Sequence, residues 1–293
     1  MEEFSYFLFW AGFISVIAAA VSYVAYAVSG RSRVLSGATP AGTVSISVPG
    51  ERPEGLGRLA TLMAWMAAGF LGSAVVTRGF AAGRPPYGNM WEYFQAFAFG
   101  ISAFYVVFER RHGERILGAF VFPVTAVLLA ISETFFPHQL ETLVPALHNN
   151  RLLAIHVASM LTAYSVLATA FGASVLYLVQ GEGHRFASLP DAETADEIAH
   201  KAIMVGFPLL GLGIALGAYW GNIAWGRYWG WDPKETTALI TWLIYAVYMH
   251  ARALAGWRGN RTAMLSILGF SAIVFNIFVV NFVIAGLHSY AGA

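Results

Sequence analysis

The sequence predicts an all-α, polytopic membrane protein, and three observations lead to this class. Hydrophobic residues make up 58% of the 293 residues, charged residues make up only 11%, and the mean hydropathy is +0.62. A soluble domain of this size cannot cover its surface with so few charges. Eight apolar runs are also long enough to cross a bilayer as helices. We therefore expect one integral membrane domain, residues 1–293, with eight transmembrane helices.

The predicted helices follow one another along the whole chain. The first is preceded by Glu2 and Glu3 instead of a basic segment, which favours a retained helix over a cleavable signal. Residues 30–57 are rich in Gly, Ser, Thr and Pro and are expected to form a flexible cytoplasmic loop. Residues 191–201 indicate a surface helix that leads into the sixth span. The predicted spans are about 4–28, 56–77, 87–108, 115–132, 150–179, 203–221, 235–256 and 262–287.

The charges predict how the chain lies in the membrane and exclude several functions. With the N-terminus outside, the inner loops hold twelve of the seventeen Lys and Arg residues. Basic residues concentrate on the inner side, so we expect both termini to be extracytoplasmic. The net charge of +1 gives no reason to expect nucleic-acid binding. Because the chain has no cysteine, it can supply no thiolate ligand, thiol nucleophile or disulfide.

The segment 220–236 is the most unusual part of the sequence, and it is expected on the outer face. It places four tryptophans and a tyrosine within twelve residues, more than a membrane interface usually recruits at one helix end. Such an excess favours a platform for a large, flat aromatic ligand. These residues are Trp220, Trp225, Tyr228, Trp229 and Trp231.

Two histidines are predicted at the level of this Trp-rich segment. His156 lies just inside the outer end of helix five, and His288 lies just past the outer end of helix eight. Two neutral imidazoles beside an aromatic platform are what six-coordinate haem iron requires. Each histidine alone is open to a reading as a hydrogen-bonded packing residue, but their coincidence with the platform favours ligation.

A third histidine, His250, is expected much deeper in the membrane. It follows Glu235 by fifteen residues, which corresponds to about 22 Å along a helix. An ionisable side chain at that depth is a functional-site hypothesis. The remaining histidines fall in predicted loops and are expected to be solvated; they are His112, His138, His148, His184 and His200.

Several polar and aromatic residues near the outer face allow two interpretations. Asp232, Pro233 and Glu235 have the spacing of a capping box, which favours helix capping over acid–base chemistry. Arg227 is a candidate partner for a haem propionate or, equally, for a lipid headgroup.

Tyr87 and Trp91 open the third predicted helix on the outer side, four residues apart and expected to share a helix face. They suit either interfacial anchoring or a wall of the same cavity. Asn276 and Asn281 indicate hydrogen bonding between helices.

The stretch Trp225-Gly-Arg-Tyr-Trp229-Gly-Trp231-Asp232-Pro-Lys-Glu235 resembles the WWD signature, WGxxWxWDxxE, of haem-handling proteins of cytochrome c maturation. Among these it is most similar to the CcsA (ResC) family of System II, and the resemblance covers most of the chain. Asn89-Met90-Trp91-Glu92 is similar to a second short element of that family. The resemblance implies that His156 and His288 ligate the iron of haem b beside the WWD segment. It also implies that His250 shares an intramembrane haem with a membrane partner, CcsB (ResB).

The function implied by the resemblance is that of a holocytochrome c synthase that works together with the CcsB/ResB partner. Such a protein carries haem across a bacterial plasma or inner membrane, or a thylakoid membrane, and presents it to apocytochrome c. Thioether bonds then form with the Cys-x-x-Cys-His motif of that substrate. Two alternatives stay open: a haem transporter without synthase activity, and a bis-His b-type electron carrier. The electron carrier needs ligand pairs at matched depths across the bilayer, whereas only the outer pair is complete in this chain.

Overall fold

The computed structural model describes residues 1–30, 33–39, 42–48, 52–140, 151–181, 185–186 and 189–288. Its architecture confirms the predicted all-α class, because eight α-helices dominate the described part of the chain. They are α1 (Glu2–Ser29), α2 (Glu54–Ala82), α3 (Met90–His112), α4 (Gly118–Phe135), α5 (Arg151–Gln180), α6 (Ala192–Trp225), α7 (Pro233–Leu254) and α8 (Asn260–Phe275). A 3₁₀ turn (Arg115–Leu117) precedes α4, and a π-helical stretch (Asn276–Val280) follows α8.

Within the described ranges, six segments are long and apolar enough to cross a membrane: α1, α2, the 3₁₀ turn with α4, α5, α6, and α8 with its π-helical extension. The chain is therefore a multi-pass membrane protein. The remaining two helices, α3 and α7, carry more polar residues, and their membrane crossing stays a prediction.

A two-stranded antiparallel hairpin lies between α1 and α2. Strand β1 (Arg33–Thr39) pairs with β2 (Gly42–Val48), from Arg33 opposite Val48 to Thr39 opposite Gly42. The hairpin falls within residues 30–57, for which the sequence predicts a flexible loop. The flexibility of that segment stays a prediction.

Two predicted boundaries differ from the structure. The surface helix predicted at 191–201 and the sixth span form one continuous helix, α6, which is capped by Asp191 and contains Pro208. Helix α3 begins at Met90 because the Asn89 side chain accepts a hydrogen bond from the backbone N–H of Glu92. Tyr87 therefore precedes the helix, and the expectation that it shares a helix face with Trp91 is wrong.

The helices pack so that five of them meet near the Trp-rich segment. Helix α1 packs along α2 and against α4, while α3 contacts α2, α4 and α5. Helix α5 runs against α6 and α8, and α7 packs on α8. The α5–α6 contact is close because glycines of α6 face side chains of α5. Cβ atoms added at Gly206, Gly213 and Gly217 would meet Leu167, Met160 and His156 at 2.7, 2.5 and 2.6 Å.

A buried cluster of charges fixes the start of α3. The carboxylate of Glu92 is inaccessible to solvent and pairs with Arg78 Nε at 3.0 Å and with Arg84 Nη1 at 2.8 Å. It also accepts a hydrogen bond from the backbone N–H of Gly88 at 2.7 Å. Because a paired and hydrogen-bonded carboxylate is costly to break, this cluster holds the chain from Gly88 to Glu92 in place.

Candidate functional site: a cavity with two histidines

A cavity lies where α3, α5, α6, α7 and the π-helical stretch after α8 meet the Trp-rich segment. It encloses about 1240 Å³ of empty space, counting its open mouth. Its lining includes Tyr87, Met90, Tyr93, His156, Met160, Tyr164, Trp220, Trp229, Lys234, Glu235, Asn276, Asn281 and His288.

His156 enters the cavity from α5 in a fixed orientation. Its Nδ1 lies 2.8 Å from the carbonyl oxygen of Gly213 on α6. Since a carbonyl oxygen only accepts hydrogen bonds, we assign the ring proton to Nδ1, which leaves the lone pair on Nε2. A Cβ at Gly217 would lie 2.6 Å from Cε1 of the ring, so only glycine leaves room for this orientation.

His288 enters the same cavity from the segment after α8. Its Nδ1 lies 2.8 Å from Oδ1 of Asp232, and the neighbouring backbone N–H of Leu287 donates to Oδ2 of Asp232 at 2.6 Å. A Cβ at Gly286 would lie 2.5 Å from that Oδ2 atom. Glycine at this position therefore permits the close approach that joins the end of the chain to the Trp-rich segment.

The two histidines thus have the same arrangement: Nδ1 is held by an oxygen atom of the protein, and Nε2 forms no hydrogen bond with a described residue. Metal-ligating histidines almost always donate the other ring N–H to a carbonyl or carboxylate oxygen, which fixes the tautomer and raises the basicity of the ligand. Both rings also line one cavity. The residues therefore fit haem, whose iron accepts a neutral imidazole on each face.

Asp232 combines helix capping with support for His288. It caps α7 by accepting from the backbone N–H of Lys234 at 3.0 Å, and Glu235 completes the predicted capping box, which is confirmed. Burial of this carboxyl opposes its ionisation and raises its pKa. The interaction with His288 and the hydrogen bonds from the backbone N–H groups of Lys234 and Leu287 outweigh burial, and they lower the pKa of Asp232 to about 2. The carboxylate is therefore ionised at neutral pH.

Glu235 organises the backbone around Trp231. The backbone N–H groups of Gly230 and Asp232 both donate to Oε2 of Glu235, at 2.8 and 3.1 Å. Trp231, between them, has φ +56°, a left-handed conformation that costs a non-glycine residue about 1–3 kcal/mol. The turn directs the Trp231 side chain outward, where 69% of it is exposed.

The tryptophans of the segment have different environments. Trp220 and Trp229 line the cavity; Trp220 is buried, and its Nε1 has no hydrogen-bond partner among the described residues. Trp225 packs edge-on against Trp220 and against His288, with ring centroids 4.7 Å apart in each pair. Trp225 therefore supports the His288 ring from behind. Trp231 meets Trp229 edge-on at 5.8 Å, on the side away from the protein interior.

Other residues predicted for the site lie outside the cavity. Arg227 is exposed, and its guanidinium lies close to Gly230. Trp91 is completely buried and donates its Nε1–H to Glu133 at 3.1 Å. His250 is exposed on α7. Of the residues that the sequence proposes for the outer site, the structure brings His156, His288, Trp220, Trp229 and Tyr87 to the cavity wall, with Asp232 and Trp225 directly behind it.

The remaining histidines do not reach this cavity in the described part of the chain. His112 is the last residue of α3, and His200 lies within α6. His138 stacks on Tyr6 with ring centroids 4.2 Å apart, so it is packed and not simply solvated. His148 and His184 lie outside the described residues.

The cavity also contains residues that the sequence did not single out as ligand contacts. Met160 is one helical turn after His156, a spacing that in hindsight places both on one face of α5. Lys234 donates from Nζ to Oδ1 of Asn281 at 2.6 Å, and its carbonyl accepts from Asn276 Nδ2 at 3.2 Å. These bonds confirm the predicted interhelical role of the two asparagines, and they place a lysine in the cavity wall.

Comparison with known proteins identifies the family of this chain. The model of the family described as cytochrome C assembly protein matches residues 87–288, which include both histidines and the Trp-rich segment. The chain therefore belongs to the cytochrome c assembly protein family.

Curated relatives narrow the assignment. A protein of Pyropia yezoensis named cytochrome c biogenesis protein CcsA is 34% identical over 292 residues, which cover 84% of this chain and 91% of that protein. The CcsA of Guillardia theta is 38% identical, and the match covers 73% of this chain and 79% of that protein. The CcsA of Synechococcus elongatus is 34% identical, and the match covers 73% of this chain and 81% of that protein. The resemblance to the CcsA family is thereby confirmed, and with it a haem-handling role in cytochrome c biogenesis.

The fold is also found in a solved structure. The protein named cytochrome c heme lyase CcmF matches 92% of this chain with a TM-score of 0.63 at 16% sequence identity. This chain spans 46% of the length of that protein. At this identity the likeness extends to the fold alone.

Proposed function

We propose that this chain is the haem-handling subunit of a System II cytochrome c synthase. It carries haem b across the membrane and presents it for covalent attachment to the Cys-x-x-Cys-His motif of apocytochrome c. The single observation that carries the proposal is the pair of histidines in one cavity. Both His156 and His288 have Nδ1 hydrogen-bonded to a protein oxygen, which leaves Nε2 for a metal.

The chemistry of attachment needs little from this chain beyond positioning. Each thiol of the substrate adds across one haem vinyl group: a C–S bond forms at the ring-proximal vinyl carbon, and the thiol hydrogen goes to the terminal carbon. The addition is redox-neutral, and both sulfur atoms come from the substrate, consistent with a chain that has no cysteine. Holding the iron between two imidazoles orients the ring, and orientation can supply a large part of the barrier reduction.

The environment of the cavity suits this task. Trp220 and Trp229 offer aromatic faces and edges to a flat porphyrin. Substrate histidine from the Cys-x-x-Cys-His motif would replace one of the two imidazoles when the product forms. His288 lies in the short segment after the last helical turn, and it is the ligand whose displacement would disturb the helices least.

The proposal includes a membrane partner of the CcsB (ResB) type. His250 lies on the surface of α7, so its imidazole is accessible to a neighbouring membrane protein. It follows Asp232 along one continuous helix, about 27 Å away at 1.5 Å per residue. A second ligand from the partner would complete an intramembrane haem site there, on the route from the inner side. The charge distribution supports the orientation, with both termini and the Trp-rich segment extracytoplasmic.

Reconstitution tests the proposed function. This chain, a CcsB-type partner and an apocytochrome c would be expressed in cells that lack other maturation systems. Covalent holocytochrome, detected by haem staining after denaturing electrophoresis, is expected. The same expression without this chain is the control.

Two results would redirect the assignment. Haem that accumulates outside the membrane without covalent product would indicate a transporter. Haem that stays bound to the chain and is reversibly oxidised and reduced by respiratory carriers, without covalent product, would indicate a b-type electron carrier.

A further inference from the structure

We propose that Lys234 binds a propionate carboxylate of haem and thereby fixes the rotation of the porphyrin in the cavity. The inference rests on the proposed function and adds a third point of attachment to the two histidines. Lys234 is the second residue of α7, directly beyond the capping residue Asp232 and Pro233. Its side chain lines the same cavity as His156 and His288.

The ammonium group of Lys234 has capacity for a ligand. Among the described residues, Nζ donates one hydrogen bond, to Oδ1 of Asn281 at 2.6 Å, whereas an ammonium carries three donors. The Asn281 amide is itself held by the carbonyl oxygen of Ile277 at 2.9 Å. The amide therefore aims the ammonium without neutralising it.

The positive charge of Lys234 is also left without a close carboxylate partner. Across the described residues, no Asp or Glu oxygen lies within 4.0 Å of Nζ. The two carboxylates next to it in sequence are occupied: Asp232 holds His288 and Leu287, and Glu235 holds the backbone of Gly230 and Asp232. A partly buried cation with no carboxylate in contact is unfavourable, so an acidic group of the ligand would stabilise it.

The chemistry of the cargo supplies such a group. Haem carries two propionate carboxylates on one edge and its two vinyl groups away from that edge. Two axial imidazoles fix the iron, but they leave the ring free to rotate about the axis through the iron. A lysine that pairs with a propionate removes this freedom, and the position of the vinyl groups relative to the cavity is then determined.

The geometry favours Lys234 over Arg227, the residue suggested by sequence for this role. Among the described residues that line the cavity, Lys234 is the only Lys or Arg. Arg227 is exposed and lies outside the lining, where a charge contributes little.

A comparison of the affinities for haem and for its dimethyl ester, in which both carboxylates are esterified, tests the inference. The purified full-length chain in detergent micelles would be titrated with each ligand, and binding would be followed by Soret absorbance. A charge-assisted hydrogen bond corresponds to about a tenfold to hundredfold preference for haem over the ester in the wild-type chain. Lys234→Met should abolish most of this preference by weakening haem binding while leaving ester binding unchanged, and Lys234→Arg should keep part of it.

Two matched controls are available. Lys201 is the other lysine of the chain, and its side chain is 43% exposed beside Glu197 on α6. Lys201→Met and Arg227→Gln should both keep the wild-type preference. Because the preference is a ratio measured within each variant, a partly unfolded fraction of protein does not change it.

Each negative result would lead to a different conclusion. A wild-type preference that persists in Lys234→Met would overturn the role of Lys234 while leaving the proposed function intact. A preference lost in Arg227→Gln alone would move the propionate contact to Arg227. Absence of haem binding by the wild-type chain, or binding that does not depend on His156 and His288, would overturn the proposed function and this inference with it.

Discussion

Replacement of Asp232 by asparagine separates its two roles, capping of α7 and support of His288. Asparagine caps helices about as well as aspartate, so the bond from the backbone N–H of Lys234 can be kept. The side chain then has one oxygen where the carboxylate has two. If that oxygen still accepts the hydrogen bonds from Lys234 and His288, the amide NH₂ faces the backbone N–H of Leu287 and that hydrogen bond is lost. The side chain that orients His288 also no longer carries a negative charge.

The expected effect falls more on haem binding than on folding. Removal of a carboxylate that orients a metal-ligating histidine typically weakens metal affinity about 10- to 100-fold, or about 1.4–2.8 kcal/mol. Because the cap is kept, the loss in the free energy of unfolding should be limited to the Leu287 hydrogen bond, about 0.5–1.5 kcal/mol. Asp232→Ala should lose the cap as well, which costs about a further 1 kcal/mol of stability.

Haem titration and thermal unfolding of the purified variants in detergent measure the two effects. Asp191 provides the matched control, since it caps α6 by accepting from the backbone N–H of Thr194 at 2.7 Å, at the opposite end of that helix from the Trp-rich segment. Asp191→Asn should change neither quantity. If Asp232→Asn bound haem with wild-type affinity, Asp232 would be a helix cap only, and its proposed role in orienting His288 for the iron would be refuted.

Two further substitutions test the packing beside His156 and the proposed relay role of His250. In Gly217→Ala, the new Cβ would lie 2.6 Å from Cε1 of His156, so the ring must give up its hydrogen bond to Gly213. We expect at least tenfold weaker haem binding and a loss of about 1–3 kcal/mol of stability. Gly69→Ala is the control because its Cβ meets nothing within 4 Å, and equal haem affinity in the two variants would contradict the packing argument. For His250→Ala, co-purified with the CcsB-type partner, we expect less haem bound at the outer site. The pyridine haemochrome assay measures the bound haem, and unchanged haem occupancy would exclude a relay role for His250.

The fold was largely predictable because long apolar runs in a membrane have few alternatives to the helix. The predicted spans overlap all eight helices, and the Asp232–Glu235 capping box and the interhelical role of the asparagines were correct. The boundaries were less predictable where polar residues continue a helix. The acidic residues 191–201 extend α6 without a break, because amphipathic and apolar segments can form one helix when it leaves the bilayer.

The sequence predicted several residues of the candidate site, but it did not predict the contacts that they make. The pattern of His156, His288 and the tryptophans pointed to one ligand, yet sequence gives no signal for which side of a turn a tryptophan faces. The left-handed backbone at Trp231 turns that residue outward, whereas Trp91, in the first turn of α3, is buried between α3 and its neighbours α1 and α4. The bond between Asp232 and His288 joins residues 56 positions apart, a tertiary contact that no local pattern reports.

The most direct test of haem ligation is the electronic spectrum of the purified, haem-loaded chain. Ligation by His156 and His288 predicts a six-coordinate, low-spin bis-imidazole spectrum in the wild-type protein. His156→Ala or His288→Ala should give a five-coordinate, high-spin spectrum that added imidazole returns to low spin. A wild-type low-spin spectrum in both single variants, without imidazole, would show that these two side chains do not hold the iron.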